Sequence, residues 1–323
     1  MLQREVAMIV QTANAQSYVN IANHICRVNG WQCQVVRKPS YALTQIDMYI
    51  GSQYDVAFDY WFIQYRKPRV VYMTVEGDFQ FSYSWDKVRA VCSSIYCVTP
   101  TKWGRGIMEQ HNVRIADVIY HALPDPPEPF PVFRSRPKPY DVVYLNARYD
   151  FLDERGSVIP DCERKGWRWW PAIRERFPAI GFVNVDGTPG TIVYRAPSDS
   201  YVYYLVVLGK VYASLTTHEG FGLNPIMALA VGDKVVGWDI EPQRELMGDI
   251  SGVYLVPVNR SRFCYADVRY QLEPAKFLFQ WGDINSYIST VEKALTDNVQ
   301  IDYTLLENRF SPNNYLRFAE FFK

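Results

Sequence analysis

The chain has 323 residues, of which 48% are hydrophobic and 21% are charged. This length exceeds the needs of one small core and suits two domains, and the composition excludes an extensively disordered protein. Thirty-four basic residues balance thirty-four acidic ones, so the overall charge does not favour nucleic acid as a partner and leaves only a local basic patch for that purpose.

The lengths of the apolar runs and the placement of the cysteines indicate where in the cell the protein is expected. No apolar run reaches the roughly 18 residues that span a bilayer, and residues 1–6 contain an Arg-Glu pair where a signal peptide would be apolar. The cysteines fall mostly in apolar runs and lack the spacing of a zinc site: Cys26, Cys33, Cys92, Cys97, Cys162 and Cys264. We therefore expect a cytoplasmic protein whose cysteines are buried, reduced thiols rather than disulfides.

Short β-type runs alternate with helical stretches along the first third of the chain. A helix is predicted over residues 18–28, and it ends at Asn29-Gly30. The predicted strands are residues 6–10, 33–36, 56–58, 70–74, 94–99 and 118–121. This alternation predicts right-handed β-α-β units and a parallel sheet.

A proline-rich segment separates this region from a second one with the same alternation. Residues 124–139 hold seven prolines, which favour a stiff linker over a helix or a central strand. The predicted strands beyond it are 141–146, 180–185, 191–194, 210–215 and 234–236, and the predicted helices are 166–177, 198–209, 224–230, 282–296 and 311–323. The pattern predicts an α/β protein with domains at 1–123 and 140–310, and with a ligand in the crevice between them at the carboxyl ends of the strands.

The segment from His218 to Pro225 follows a predicted strand and opens an apolar helix. Gly220 and Gly222 allow the backbone to approach a ligand closely, and N–H groups at the helix start attract an anion. Glu219, at the strand end, is placed to accept hydrogen bonds from hydroxyl groups. A phosphate together with hydroxyls describes a nucleotide sugar, whereas the alternative is an ordinary strand-to-helix turn. The candidate binding residues are His218, Gly220, Phe221, Gly222, Leu223 and Asn224.

The block Glu219-Gly-Phe-Gly-Leu-x-Pro, followed by Met227-Ala-Leu-Ala-x-Gly-x-x-Val-Val, resembles the donor-binding signature of GT-B glycosyltransferases, family 4 in particular. Weaker matches to this family precede the block in the expected order, at residues 98–102, 142–148, 165–166, 176–178 and 182–187. The resemblance implies the GT-B architecture, in which two Rossmann-like, doubly wound domains face each other across a cleft. It also implies that the last helix, 311–323, returns to the first domain.

The resemblance further implies an activity and roles for individual residues. A retaining transfer would move a hexose from a nucleoside-diphosphate sugar to a hydroxyl acceptor on a glycan, a protein or a lipid carrier. Neither a metal nor another cofactor would be required, in keeping with the lack of an Asp-x-Asp motif. Arg148 and Lys165 would neutralise the donor diphosphate, and Glu219 would bind sugar hydroxyls. Arg148 also suits a surface salt bridge, and Arg155-Gly156 competes with Lys165-Gly166 for the family's Lys-Gly position.

Three departures from the family pattern affect the proposed site. Met227 stands where relatives carry a second carboxylate that holds the ribose, and Asp239 or Glu241 is a candidate substitute. Glu76-Gly77 replaces a His-Gly pair near the reacting carbon, so Glu76 either orients or deprotonates the acceptor hydroxyl or has a capping role. The loop 12–17 lacks the family's glycines, which predicts less contact with the donor phosphates there.

Two further features bear on ligands and partners. Trp167, Trp169 and Trp170 stand among basic residues, a composition that suits either peripheral contact with a membrane or packing against a neighbouring element. His121 ends a predicted strand near the linker and is a candidate for ligand contact.

Three other functions compete with hexosyl transfer. A non-catalytic nucleotide-sugar-binding protein is favoured by Met227 and Glu76. A DNA-modifying glucosyltransferase would share the architecture but needs a basic groove, which the neutral composition disfavours. A Rossmann-type oxidoreductase is disfavoured because no Gly-x-Gly-x-x-Gly follows the first predicted strand.

Overall fold

The computed structural model describes residues 8–13, 15–37, 45–79, 82–146, 150–152, 157–183, 190–194, 199–265 and 275–323. The chain divides into two compact units, the first formed by Met1–Ala122 with Phe310–Lys323 and the second by Leu123–Arg309. The proline-rich segment 124–139 belongs to the second unit by its contacts, and its short helix buries Phe133 completely.

The first unit is built on a parallel sheet. Its strands are β1 (Met8–Thr12), β2 (Cys33–Arg37), β3 (Met48–Ser52), β4 (Val70–Thr74), β6 (Tyr96–Thr99) and β7 (Asp117–Val118), and a separate short strand is β5 (Asp78–Phe79). Its helices are α1 (Gln16–Val28), α2 (Gln53–Phe58), α3 (Tyr60–Arg66), α4 (Ser82–Ser94) and α5 (Lys102–Gln110). The sheet order is β2-β1-β3-β4-β6-β7, so the strand order reverses between β1 and β3.

The predicted strand at residues 56–58 is wrong, because these residues lie in α2 and the strand of this region is β3. A capping box starts α2: the Ser52 hydroxyl accepts the Asp55 N–H at 3.2 Å, and the Asp55 carboxylate accepts the Ser52 N–H at 2.7 Å. An apolar run of three residues is too short to show a strand or helix period, whereas the capping box ahead of it marks the start of a helix.

The C-terminal segment Pro312–Phe322 is a 3-10 helix of the first unit. Tyr315 and Phe318 are buried in one core cluster with Ile21 and Ile25 of α1. The side-chain amide of Asn29, just after α1, donates to the Tyr315 carbonyl at 2.9 Å. Apolar packing and this bond together hold the chain end on α1.

The second unit contains a second parallel sheet, of order β12-β11-β8-β13-β14-β15. Its strands are β8 (Tyr140–Asn146), β11 (Ala179–Val183), β12 (Ile192–Val193), β13 (Gly209–Ser214), β14 (Lys234–Trp238) and β15 (Val253–Val256). The helices of the unit are α6 (Phe130–Arg134), α7 (Trp170–Arg176), α8 (Asp199–Val206), α9 (Leu223–Ala230), α10 (Gln243–Met247), α11 (Ile284–Thr296) and α12 (Tyr303–Arg309), with a 3-10 turn at Trp167–Trp169. The sequence pattern predicted most of these elements, because strands buried on both faces form continuous apolar runs.

An antiparallel sheet in the second unit was missed by the sequence analysis. The strands that the second unit contributes to it are β10 (Val158–Glu163), β9 (Asp150–Leu152), β16 (Arg260–Tyr265) and β17 (Ala275–Trp281), in that spatial order. β9 and β16 are neighbours in space but far apart in the sequence, and their polar, mixed composition carries no strong period.

All six cysteines form disulfides, which contradicts the expectation of reduced thiols. The pairs are Cys26–Cys33, Cys92–Cys97 and Cys162–Cys264, with Cα–Cα separations of 6.1, 5.4 and 5.5 Å. These Cα–Cα separations lie within the usual range for disulfide bonds. The first two pairs each join a helix to the strand that follows it, whereas the third joins β10 to β16.

Apolar surroundings could not distinguish these alternatives, because buried thiols and buried disulfides occupy similar environments. Reduced thiols were one reason to expect a cytoplasmic protein, and the disulfides remove that reason. Disulfides persist mainly in oxidising compartments, although intracellular proteins of hyperthermophiles are an exception. Within the described ranges, no helix combines the length and the apolar character that crossing a bilayer requires.

Removal of the Cys162–Cys264 bridge should destabilise the protein more than removal of the Cys26–Cys33 bridge. The two bridges span 102 and 7 residues, and by loop-closure entropy they contribute about 4.7 and about 2.4 kcal/mol of stability respectively. We expect the double alanine variant of the long bridge to melt roughly 10 °C below the parent in thermal unfolding without reductant, and that of the short bridge to melt nearer the parent. Equal melting temperatures, or free thiols titrated in the unfolded and unreduced parent, would contradict this expectation.

Candidate functional site

The parallel sheet of the second unit brings the carboxyl ends of β8 and β13 to the same edge. These strands are neighbours, and the strand order reverses between them. Open α/β sheets bind ligands at such a switch point. The loop after β13 leads into α9, and the side-chain amide of Asn224 donates to the Leu145 carbonyl at 3.3 Å. The start of α9 therefore lies beside the end of β8.

A second loop, residues 163–166, is joined to the loop that follows β13. The Thr217 N–H donates to the Arg164 carbonyl at 2.9 Å, and its hydroxyl donates to the same oxygen at 3.2 Å. Gly166 packs on Leu215 with a φ of +74°, and a Cβ at this position would overlap the Leu215 carbonyl oxygen. Only glycine therefore allows the two loops to approach this closely.

Glu219 lies between two cations that the 163–166 loop supplies. One carboxylate oxygen accepts a hydrogen bond from the Arg164 guanidinium at 2.9 Å, and the other accepts one from the Lys165 ammonium. The three side chains are only 11–13% exposed. Arg164 also donates through Nε to the His218 carbonyl at 3.2 Å. These three side chains together carry one net positive charge.

The same two cations keep Glu219 ionised. Burial alone would raise the pKa of its carboxyl, but the charges of Lys165 and Arg164 outweigh burial and lower this pKa to about 2. The folded-state pKa therefore lies below the ordinary value of 4.5. The ionic contact stabilises the fold above that value and is lost as the pH falls toward 2.

Glu163 organises the loop that carries the cations. Its side chain is buried, and Oε1 accepts the Lys165 N–H at 2.7 Å. Burial raises the pKa of this carboxyl to about 7, although the N–H groups of Lys165, Gly166 and Trp167 and the charge of Arg168 oppose the shift. Glu163 thus binds the backbone of the loop, while the side chains of the next two residues point to Glu219.

The start of α9 has a backbone geometry that suits an anion. Gly222, the N-cap residue, has a φ of +85° and no side chain with which to cap the first turn. A Cβ there would lie 3.0 Å from Glu219 Cγ, so the glycine also makes room for the carboxylate. The Gly220 N–H donates to Glu219 at 3.2 Å. The partial positive charge of the helix start adds to that of the ionic cluster.

The structure brings some of the predicted site residues together in the second unit and places Glu76 in the first. Lys165, Glu219 and the segment 220–224 lie at one edge of the second unit. Glu76 belongs to the first unit, where it follows β4 and its N–H donates to the Gln53 side chain at 3.0 Å. Arg148 lies outside the described residues, and so does Arg155-Gly156, the pair that competes with Lys165-Gly166.

His218 is buried against the antiparallel sheet. Its ring lies parallel to Phe279 at 5.7 Å and edge-on to Phe277 at 5.0 Å. Its Nδ1 lies 3.2 Å from the Leu278 carbonyl, which makes Nδ1 the donor. Phe221 is buried as well. These contacts anchor the loop that carries Glu219, and ligand contact by the two side chains stays a prediction.

Arg164 was missed by the sequence analysis, although it is the immediate neighbour of Lys165. The family pattern directs attention to the Lys-Gly pair, and nothing in that pattern distinguishes the preceding residue. The available signal was the Arg-Lys-Gly triplet itself, since a turn that exposes two consecutive cations can direct both at one carboxylate.

The family's second carboxylate has no counterpart on α9. Met227, which stands at that position, is 1% exposed and packs in the core. Asp239 and Glu241 accept hydrogen bonds from Arg244 at 2.7 and 3.3 Å, beyond the end of β14. Their use as ribose ligands stays a prediction.

The tryptophans at the start of α7 pack against neighbouring elements, so that alternative is confirmed. Trp170 is completely buried and stacks on Tyr144 at 5.1 Å. Trp169 meets Trp238 edge-on at 5.4 Å, and the Arg168 guanidinium lies over the Trp169 ring at 4.1 Å. Trp169, Trp170 and Arg168 are therefore engaged within the second unit.

His121 is held inside the first unit. The Tyr72 hydroxyl donates to the Ile119 carbonyl at 2.5 Å, so the His121 Nδ1, at 2.9 Å from that hydroxyl, is the donor. Its Nε2 lies 3.4 Å from the Thr74 hydroxyl. Burial lowers the pKa of the imidazole to about 3, so the ring is neutral. Ligand contact by His121 stays a prediction.

Comparison with solved structures identifies the fold. No protein-family model and no curated protein matches the sequence. The chain is similar to sucrose-phosphate synthase from Thermosynechococcus elongatus, at 11% identity over 97% of this chain and 95% of that chain, with a TM-score of 0.58. It is similar to the N-terminal domain of Candida albicans trehalose-6-phosphate phosphatase, at 7% identity over 100% and 98% of the two chains, with a TM-score of 0.54. A trehalose-6-phosphate protein from E. coli, solved with UDP-2-fluoro glucose bound, matches at 10% identity over 94% and 73% of the chains, with a TM-score of 0.50. These similarities and the two parallel sheets confirm the predicted α/β fold of GT-B architecture.

The variant Gly166→Ala should destabilise the protein. The positive φ and the overlap with the Leu215 carbonyl together should cost about 2–4 kcal/mol. Gly106→Ala is the matched control, because nothing lies within 4 Å of a Cβ at that helical position and alanine favours a helix by up to about 1 kcal/mol. Denaturant unfolding measures both, and an alanine at 166 with the parent's stability would refute the packing argument.

The variant Glu219→Gln should lose about 3–5 kcal/mol of unfolding free energy near neutral pH, because two nearly buried cations lose their counter-charge. The difference from the parent should shrink as the pH falls from 4.5 toward about 2, where the parent's own carboxyl becomes protonated. Glu292→Gln, which removes an exposed contact with Arg176, should cost less than about 1 kcal/mol. Urea unfolding at several pH values tests this, and a loss that does not change with pH would count against the ionic role of Glu219.

Proposed function

We propose that the protein is a glycosyltransferase that moves a hexose from a nucleoside-diphosphate sugar to a hydroxyl group of an acceptor. The observation that carries this proposal is the cluster of Arg164, Lys165 and Glu219 beside the start of α9. It lies at the switch point of a Rossmann-like sheet, where such folds bind nucleotides.

The charges of this cluster suit a diphosphate. Arg164 and Lys165 supply two side-chain cations, and the start of α9 supplies a partial positive charge. When the bond to the sugar breaks, negative charge grows on the departing nucleoside diphosphate. Preorganised cations stabilise that charge in the transition state, which is commonly the largest catalytic contribution.

Glu219 has two roles in the proposal. Without a donor, its carboxylate holds both cations in place and offsets part of their repulsion. With a donor, the ionised carboxylate accepts hydrogen bonds from sugar hydroxyls. The low pKa of this carboxyl keeps it an acceptor throughout the neutral range.

In the proposed reaction, the bond between C1 of the hexose and the diphosphate oxygen breaks as the acceptor oxygen bonds to C1 from the same face. The acceptor proton passes to the departing phosphate oxygen, so atoms and charges balance and the anomeric configuration is retained. Arg164 and Lys165 hold the diphosphate where it can take that proton. We also propose that the enzyme is similar to family 4 glycosyltransferases. It needs no divalent cation in this proposal, because Arg164 and Lys165 neutralise the diphosphate.

In this proposal, Glu76 orients the hydroxyl group of the acceptor. Gln53 holds the loop that follows β4 from two sides, since it accepts the Glu76 N–H at 3.0 Å and donates to the Gly77 carbonyl at 3.1 Å. A carboxylate on a loop held in this way can orient a hydroxyl group. The donor class is supported by the E. coli protein of the same fold that was solved with UDP-2-fluoro glucose.

A non-catalytic nucleotide-sugar-binding protein is the second candidate function. The buried Met227 favours it, because α9 offers a methyl-thioether where relatives offer a carboxylate to the ribose. Such a protein would bind the donor through the same cationic cluster but release no nucleoside diphosphate.

Donor binding and turnover in Lys165→Met and Arg164→Gln test the proposal. Each variant removes one charge-assisted hydrogen bond to the diphosphate, so we expect binding of the best nucleoside-diphosphate sugar to weaken roughly tenfold to a hundredfold. Lys210→Met and Arg176→Gln are matched controls, because both cations form exposed ion pairs elsewhere in the second unit. Isothermal titration measures binding, and release of nucleoside diphosphate measures turnover.

Each outcome of this experiment separates the alternatives. Unchanged donor affinity in both site variants would refute the site, and binding without release of nucleoside diphosphate would favour the non-catalytic protein. Turnover that survives EDTA would support the role of the two cations, whereas its complete loss would refute metal independence.

A further inference from the structure

Three large aromatic side chains are exposed on two short helices of the first unit. Phe58, the last residue of α2, is 65% exposed, and Trp61 and Tyr65 of α3 are 75% and 72% exposed. Trp61 and Tyr65 are four residues apart and share one face of α3, while Phe62 and Ile63 of the same helix are buried in the core. We call Phe58, Trp61 and Tyr65 the aromatic face.

Cations adjoin the aromatic face at the end of α3. The Arg66 guanidinium lies 4.6 Å from the centre of the Tyr65 ring, and the exposed Lys67 and Arg69 follow. These three cations line a depression of about 360 Å³ together with Gln45, Ile46, Asp47 and Phe322. The depression is thus a cationic recess of a size that suits a phosphate-bearing headgroup.

Acidic side chains near this face are engaged within the first unit. Asp59, at the start of α3, accepts a hydrogen bond from the buried Tyr49 hydroxyl at 2.6 Å. Asp47, on the wall of the depression, accepts the Ile9 N–H at 2.7 Å. These bonds to neutral groups leave the carboxylates charged, but three cations against the single carboxylate of Asp47 leave an excess of positive charge around the depression.

We propose that the aromatic face and the adjoining cations form a docking surface for a membrane that carries anionic phospholipids. Tryptophan, tyrosine and phenylalanine rings enter the boundary between headgroups and acyl chains, and the three cations bind lipid phosphates. This inference goes beyond the proposed function and does not depend on it, because no residue of the cationic cluster around Glu219 takes part.

The chemistry of the face favours lipid over a second copy of the chain. Trp61 and Tyr65 carry a polar N–H or O–H on an apolar ring, which is the composition of a membrane interface. A second copy would bring the same three cations against this set, and like charges would repel. An anionic bilayer offers a counter-charge to all of them.

Vesicle sedimentation tests the proposal with vesicles of phosphatidylcholine alone and vesicles with roughly one-third phosphatidylglycerol. We expect the parent to bind the anionic vesicles and the triple variant Phe58→Ser/Trp61→Ser/Tyr65→Ser to bind on the order of tenfold more weakly. Lys67→Gln/Arg69→Gln should weaken binding to anionic vesicles and remove most of its dependence on salt. The thermal stability of both variants should match the parent, because the altered side chains are exposed.

The matched controls are Tyr83→Ser/Tyr96→Ser/Tyr201→Ser for the aromatic face and Lys102→Gln/Arg105→Gln for the cations, since these residues are exposed elsewhere. Vesicle binding that is lost in the test variants and kept in the controls supports the proposal. Equal binding to both vesicle types, equal losses in test and control variants, or no binding by the folded parent overturns it. A parent that sediments as a dimer, and becomes a monomer in the triple variant, also overturns it in favour of a second copy.

Discussion

The ionic contact of Glu219 with Arg164 and Lys165 holds the loops at the candidate site of the second unit in one arrangement. The carboxylate and the cations come from loops about 54 residues apart in the sequence, and neither partner is stable in a nearly buried place without the other. Each loop is therefore positioned by the other. Two other features bring the loops close enough for this contact. Thr217 donates hydrogen bonds to the Arg164 carbonyl, and Gly166 has no side chain that would keep the loops apart.

The two units use similar sheets for different local chemistry. The switch point of the second sheet carries concentrated charge, with an ionised carboxylate and two cations at the start of α9. The carboxyl ends of the strands in the first unit carry a neutral, buried network of His121, Tyr72 and Thr74. In our proposal the diphosphate requires the first kind of site, whereas the acceptor hydroxyl requires only a group that orients it, such as Glu76.

The elements that could be predicted from the sequence share one property, a strong local signal. Parallel strands buried on both faces form continuous apolar runs, and the two glycines around Phe221 mark the turn into α9. What could not be predicted depends on distant partners. β9 and β16 pair across about a hundred residues, the Cys162–Cys264 bridge needs thiols that only the fold brings together, and the role of Arg164 is visible only beside Glu219. The prediction for β3 and α2 was wrong for another reason, because the short apolar run at residues 56–58 has no measurable period.

The bridge between Cys162 and Cys264 closes the chain from β10 to β16 into a covalent ring, and this ring contains β13, Glu219 and α9. A protease that cuts once anywhere inside the ring breaks a peptide bond without releasing a fragment. The nicked molecule gains only the mass of one water and migrates with uncut chain on a non-reducing gel, and only a reductant separates the pieces. Limited digestion of this protein therefore under-reports its exposed loops unless the fragments are reduced before they are counted.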